Sequence, residues 1–174
     1  VLHNSPHIAD FMEVLKLRNR AVVQTDAEPV FARRLLVPPG EEPLMRPSLL
    51  RAVRAETFAN LGIASSAAPA ARDRRRPLRV IVVRRSVVQG GSGGRALLNH
   101  DELMLLLRHV LLPKSVELEE FGPRPVKLGE TAALWSRADV VIAPHGAGTT
   151  NALFMPPSST VIELLAVGQR GRVY

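Results

Sequence analysis

The stretch that decides the fold is Ala138-Asp139-Val140-Val141-Ile142-Ala143-Pro144-His145-Gly146-Ala147-Gly148-Thr149-Thr150-Asn151-Ala152-Leu153-Phe154-Met155, followed by Thr160-Val161-Ile162-Glu163-Leu164. An apolar run enters a glycine-containing turn and then a segment able to start a helix. Such a strand, loop and helix start suits a phosphate, because glycine lets the backbone approach the anion and the helix end offers unpaired N–H groups. A second apolar run delivers Glu163 to its carboxyl end. If Gly146 and Gly148 hold a diphosphate, Glu163 is placed for the ribose hydroxyls. The plain alternatives are a tight strand-to-helix connection and a structural carboxylate.

Working outward, the texture from Leu78 onward alternates between strands and helices. Leu78 to Val83 is a continuous, largely β-branched run, as expected for a strand covered on both faces. The Gly-rich loop Gln89 to Gly94 follows. Asn99 with Glu102 three residues on reads as a capping box. Leu103, Leu107, Val110 and Leu111 fall on one face of the helix it starts. Val116 to Phe121 reads as a short strand and Glu130 to Arg137 as a short helix. Asp139 to Ala143 is a strand, Ala147 to Phe154 a helix, and Thr160 to Leu165 a further strand. This order predicts an α/β fold, a Rossmann-like, doubly wound parallel sheet with right-handed crossovers. Ligands in such sheets bind outside the carboxyl ends of the strands, where Arg84-Arg85, His145 and Glu163 all fall.

Before Leu78 the pattern is different. Residues 1–63 read as helical pieces and loops, with helix-like spacing of Ile8, Phe11, Met12 and Leu15, a break at Pro38-Pro39-Gly40 and Pro43, and a second helix from Ser48 to Leu61. Residues 64–77 are an Ala- and Arg-rich linker or insertion whose arginines (Arg72, Arg74, Arg75, Arg76) are expected to be solvated. Residues 78–174 form the expected ligand-binding domain.

Composition narrows the chemistry. The 174-residue chain is 46% hydrophobic and only 4% aromatic, so its core must be built from Leu, Val and Ala. The net charge of +7 comes almost wholly from arginine, with Lys16, Lys114 and Lys127 the only lysines, and suggests anionic partners. Without cysteine there are no disulfides or thiolate metal sites in this piece, which fits a reducing compartment. No Asp-x-Asp pair stands ready for a divalent ion on a phosphate, and no metal site is expected. One Trp, one Tyr and five Phe are too few for an interleaved basic and aromatic nucleic-acid surface. No apolar run approaches the roughly 20 residues of a membrane span. The start at Val1 without a Met, and the stop soon after a strand, read as a fragment.

Two motifs have plain alternatives that outweigh them. Gly146-Ala147-Gly148 supplies the first glycines of a dinucleotide fingerprint, but Asn151 stands where the third belongs, which disfavours a Rossmann-type oxidoreductase. Gly90-Gly91-Ser92-Gly93-Gly94 matches a serine-hydrolase elbow, but His145-Gly146 follows the serine and no histidine lies beyond it, the wrong order for that chemistry. Arg84, Arg85 and Arg95 are different in kind, because guanidinium groups near the crevice bind phosphate bidentately. In an Arg-rich chain at least one of the three is expected to be a plain surface residue. His145, directly before the turn, can donate to a phosphate oxygen or sugar hydroxyl, with a capping or core histidine as the alternative.

Val141-Ile142-Ala143-Pro144-His145-Gly146-Ala147-Gly148, then Thr150-Asn151-Ala152-Leu153-Phe154-Met155-Pro156-Pro157 and Val161-Ile162-Glu163-Leu164, resemble the signature of glycosyltransferase family 61. Arg84-Arg85 and the Arg95-x-x-x-Asn99-x-x-Glu102-Leu103 pattern are also similar to that family, so the resemblance covers about residues 78–165. Thr149 stands where the family usually has Leu. The resemblance implies the carboxy-terminal, donor-binding half of a GT-B glycosyltransferase, beside a partial amino-terminal acceptor-side region.

The activity implied by the resemblance is transfer of a sugar from a nucleotide-sugar, with UDP as the expected nucleotide, to a glycan or glycoprotein hydroxyl, metal-independent and inverting. No cofactor is implied beyond that donor substrate. Arg84, Arg85, Arg95, Asn99, His145, Gly146, Ala147, Gly148, Thr149, Asn151 and Glu163 are the expected donor-site residues. His7 and Asp10 are the candidates for the base on the acceptor hydroxyl. The resemblance also implies a Golgi or ER location, with membrane association only through a segment absent from this chain. A nucleotide-binding homologue without turnover is the other open reading.

Overall fold

Leu78–Val83 forms β1, and the computed structural model places it in the middle of a four-stranded sheet, paired on both edges. The structure describes residues 6–17, 19, 47–64, 76–85, 96–122 and 126–165. Within them the chain forms α1 (Pro6–Val14), α2 (Pro47–Leu61), β1, α3 (His100–Leu111), β2 (Val116–Phe121), α4 (Leu128–Trp135), β3 (Val140–Pro144) and β4 (Thr160–Leu164). A 3₁₀ turn, Leu112–Lys114, precedes β2, and a 3₁₀ segment, Ala147–Phe154, lies between β3 and β4. The strand order is β2-β1-β3-β4 and every pairing is parallel, as the alternating pattern predicts.

Two compact units divide the chain: Val1–Ser65 with Lys127–Ala132, and Ser66–Val126 with Ala133–Tyr174. In the first, α1 ends in a Schellman arrangement, with Leu17 N–H on Met12 O at 2.8 Å and Lys16 in the left-handed region at φ 56°. The end of α2 repeats it, with Gly62 at φ 66° and Ile63 N–H on Phe58 O at 2.9 Å. Phe58 is buried and carries the Arg54 guanidinium 4.5 Å from its ring centroid. Burial lowers the Arg54 pKa from the ordinary arginine range.

In the second unit β1 is buried on both faces from Val80 to Val83, whereas β4 is mostly exposed, and strand alternation decides which residue goes where. Val80 and Val82 of β1 pack with Met104 of α3, supported by Leu103, Leu107, Leu118 and Ile142. The opposite parity, Ile81 and Val83 with Val141 and Ala143, is also buried. Phe121, in register with Val83, meets the fully buried Trp135 edge to face, with ring centroids 5.7 Å apart. Full burial of an Ile or Val of this core contributes about 1.5–3 kcal/mol each. This two-sided burial is why Val80 to Val83 is an unbroken apolar run.

The amino ends of the strands are tied together by Asp139. Its carboxylate accepts two bonds from the Arg76 guanidinium, at 2.6 and 2.8 Å, and a third from Arg79 N–H at 2.9 Å. Its own backbone N–H donates to Arg79 O and its C=O accepts from Thr160 N–H, each at 2.9 Å. One residue thus joins β1, β3 and β4. Arg76, expected to be solvated, is half-buried in this planar, two-pronged pair instead. Arg72, Arg74 and Arg75 lie outside the described residues.

Four other expectations change. The segment after the glycine turn is a 3₁₀ helix rather than an α-helix. α4 begins at Leu128, two residues earlier than its pattern suggests, where its first N–H is held by the Asp10 carboxylate. Val110 of α3 is exposed, and Met104 takes the buried place. Asn99 O accepts the first intrahelical bond of α3, from Leu103 N–H at 3.0 Å, but the side-chain bonds of a capping box are not made among the described residues.

Asp139→Asn removes the charge that the Arg76 fork and Arg79 N–H share, and is expected to lower stability by about 2 kcal/mol, read from the midpoint of chemical denaturation. At the other end of the strands, Gly122 has φ +94° and a Cβ there would stand 2.5 Å from Arg84 O. Gly122→Ala is therefore expected to destabilise by at least about 1–2 kcal/mol in the same assay.

Candidate functional site

The chain leaves β1 for β2 on one side and returns to β3 on the other, so the switch point of the sheet lies between the carboxyl ends of β1 and β3. That crevice is where a doubly wound sheet accepts a ligand. Arg84 and Arg85 leave β1 there, and His145 with Gly146 leave β3.

The two arginines are separated by strand alternation. Arg84 continues the parity of Val80 and Val82, toward α3, and pairs with Asp101 in the first turn of that helix. Its Nε also lies 2.8 Å from Glu120 Oε1 of β2, an ion-pair contact without hydrogen-bond alignment. The hydrogen bond to Asp101, and after it Glu120, raises the Arg84 pKa above the ordinary arginine range. Glu120 also holds the buried His100 ring, at 3.2 Å from Nε2. Arg84 is thus occupied by a carboxylate network.

Arg85 takes the other parity and reaches across the switch point, donating from Nη1 to His145 O at 2.8 Å. No carboxylate pairs with it among the described residues. Its planar fork has further donors at the mouth of the crevice, the inventory an anionic oxygen needs.

His145 is held on three sides. Its N–H donates to Leu164 O at 2.9 Å, its C=O accepts from Arg85, and its ring Nδ1 lies 2.8 Å from Glu163 Oε1. Glu163 pairs in register with Ala143, two residues before His145, so both side chains fall on the same face. The carboxylate expected on a ribose is here on the imidazole. Glu163 is half-exposed, and a pair of this kind contributes only about 0–1 kcal/mol to stability. Its weight lies in orientation.

Gly146 caps the 3₁₀ segment at φ 147°, a conformation that favours glycine, and no side chain caps the segment. Thr149 closes the turn on itself, donating to Gly146 O from its N–H at 2.9 Å and its hydroxyl at 2.7 Å. The N–H groups ahead of it, of Ala147 and Gly148, have no acceptor within the segment. A Cβ on Gly148 would meet no atom within 4 Å, so open space adjoins those donors. Asn151 is half-buried within the segment, and Asn99 is exposed at the amino end of α3. Arg95 and the Gly90–Gly94 loop lie outside the described residues.

Of the acceptor-side candidates, Asp10 holds the Leu128 N–H, a capping role on α4. His7 stands in α1, and its side chain is outside the described residues. Among the described residues no group of three or more His, Cys, Asp or Glu side chains is gathered to hold a metal ion. No described helix is long and apolar enough to cross a membrane.

Sequence reasoning places the glycine turn, His145, Glu163 and the arginine pair at one end of the sheet. It misses the Asp101 and Glu120 partners of Arg84, although parity along β1 carries that signal. A partial relative, the beta-1,2-xylosyltransferase XAX1 of Oryza sativa subsp. japonica, is 33% identical over 84 residues, 48% of this chain and 14% of that protein. The family profile described as Glycosyltransferase 61 matches residues 4–162, which takes in nearly every element described above. The chain belongs to the glycosyltransferase 61 family of enzymes.

Proposed function

We propose that this chain forms the donor-binding part of a glycosyltransferase that moves a sugar from a nucleotide-sugar, with UDP as the nucleotide, to a hydroxyl of a glycan or glycoprotein, with inversion. The observation that carries the reading is the pairing of Arg85 and His145 across the switch point, beside the uncapped Gly146–Gly148 turn. A GT-B arrangement, with a second domain facing this one, belongs to the same proposal.

Displacement at the anomeric carbon leaves a nucleoside diphosphate carrying new negative charge. Preorganised donors aimed at that charge lower the barrier, because they need no reorganisation as the bond breaks. Arg85 and the Ala147 and Gly148 N–H groups are the donors of this proposal, in place of a divalent ion, with His145 held beside them by Glu163. Arg84 supports them indirectly, by keeping the end of β1 in place. The base for the acceptor hydroxyl is assigned to the amino-terminal part, where His7 is the candidate left once Asp10 caps α4. The same engagement of Asp10 favours a second reading, a nucleotide-binding homologue without turnover. A Golgi or ER location is proposed from the family resemblance alone.

Calorimetric titration of the chain with UDP, without added metal and with NADH as comparison, tests the reading. Saturable UDP binding with none for NADH is the expected result; a folded chain that ignores UDP overturns it. Gly148→Leu fills the open space and is expected to lower UDP affinity more than tenfold at unchanged melting temperature. Arg85→Ala should weaken UDP binding about 10- to 100-fold, the equivalent of a charge-assisted hydrogen bond. Arg84→Ala should act mainly on the melting temperature, and similar affinity losses for the two arginines would remove the distinction drawn between them.

A further inference from the structure

The sheet of the described residues has two edge strands, β2 and β4, and they differ in chemistry. β2 carries Glu117, Glu119 and Glu120, and charge along an edge guards it against pairing with another chain. β4 carries one charged residue, Glu163, whose carboxylate lies against the His145 ring at 2.8 Å. Of its other side chains, Val161 is 41% and Ile162 45% exposed. Their register partners on β3 differ: Val141 is fully buried, and Ile142 packs against the core of Val80, Val82 and Met104. The apolar surface of the sheet thus runs past β3 onto an uncovered strand.

The backbone points the same way. Thr160 N–H donates to Asp139 O, and Leu164 O accepts from His145 N–H, so the even-numbered residues of β4 face β3. Along a strand the N–H and C=O groups of successive residues alternate between its two edges. Val161 and Glu163 therefore direct theirs outward, where no described strand pairs with them. Such a row of groups is a template for a further strand.

We propose that β4 pairs antiparallel with β4 of a second copy of this chain, about a two-fold axis at Ile162, joining two four-stranded sheets into one. The occupant is a second copy because the strand is complementary to itself. Ile162 meets Ile162 of the partner subunit, apolar against apolar. Val161 stands opposite Glu163 of the partner subunit, and each such pair exchanges two backbone hydrogen bonds. Centring the axis on Glu163 instead would set two carboxylates directly against each other, which is unfavourable. Centring it on Val161 would leave Glu163 facing a residue beyond the partner's strand. A two-fold contact of this kind closes on itself and goes no further than a dimer. It also borders the crevice, because Glu163, which holds the His145 ring, lies in the paired strand.

The test is sedimentation of the full chain across a concentration series. The expected result is a reversible step to twice the mass of one chain. Ile162→Lys puts like charges on the axis and should weaken the association at least about tenfold. Val161→Pro removes an outward N–H while leaving the bonds from β4 to β3 in place, and should weaken it to a similar degree. Glu119→Lys, on the other edge strand, should leave it unchanged. Melting temperatures measured on the dilute variants separate loss of pairing from loss of fold. The chain has no cysteine, so Ile162→Cys supplies a single thiol, and opposed residues of a non-hydrogen-bonded antiparallel pair stand within disulfide reach. Oxidised glutathione should couple Ile162→Cys into a covalent dimer and leave Glu119→Cys uncoupled. A chain that keeps its own mass at every concentration overturns the inference and leaves the β4 edge to a segment outside this chain. A dimer that withstands both Ile162→Lys and Val161→Pro, or in which Ile162→Cys stays uncoupled, overturns it as well by assigning the association to another face.

Discussion

The structure depends first on β1 being hydrogen-bonded along both edges. Both faces of β1 are buried from Val80 to Val83, which is why that stretch is apolar, while Arg79 at the amino end of the strand reaches Glu117 at 2.9 Å. Pairing on both edges also makes the end of β1 the point where the chain's connections diverge, toward β2 on one side and β3 on the other. The crevice, and the residues that line it, follow from that single placement. Asp139 secures the opposite end, joining β1, β3 and β4 through its carboxylate and its backbone N–H and C=O.

Adjacent residues at the end of such a strand have opposite fates. Arg84 inherits the parity of Val82 and turns toward α3, where Asp101 and Glu120 take up its charge. Arg85 inherits the parity of Val83 and crosses to the carbonyl of His145. The same alternation sends Glu163 of β4 to the His145 side of the sheet. Two identical side chains, one peptide apart, thus serve different ends: one holds the scaffold and the other faces the space a ligand would fill.

Around the glycine turn, few groups do several things at once. Thr149 consumes its own hydroxyl and N–H on Gly146, which tightens the turn into a 3₁₀ segment and leaves the two N–H groups ahead of it without an acceptor in the segment. The positive φ of Gly146 explains why that position is glycine. His145, fixed through its backbone and its ring, contributes orientation far more than stability.

Much of this is legible in the chain of residues alone. The order of strands and helices, the parallel sheet and the strand-end location of the site come from periodicity, glycine placement and the resemblance carried by the turn. Those are local properties: alternation, helical spacing and backbone permissiveness are written in neighbouring residues. What periodicity cannot supply is partners distant in sequence. Arg76 with Asp139, Arg84 with Asp101 and Glu120, Glu163 with His145, and Asp10 with Leu128 each join residues brought together only by the tertiary fold. Charge makes every arginine look alike along the chain, and only the packed structure, by setting which acceptor is within reach, decides that Arg84 pairs with carboxylates while Arg85 reaches the His145 carbonyl.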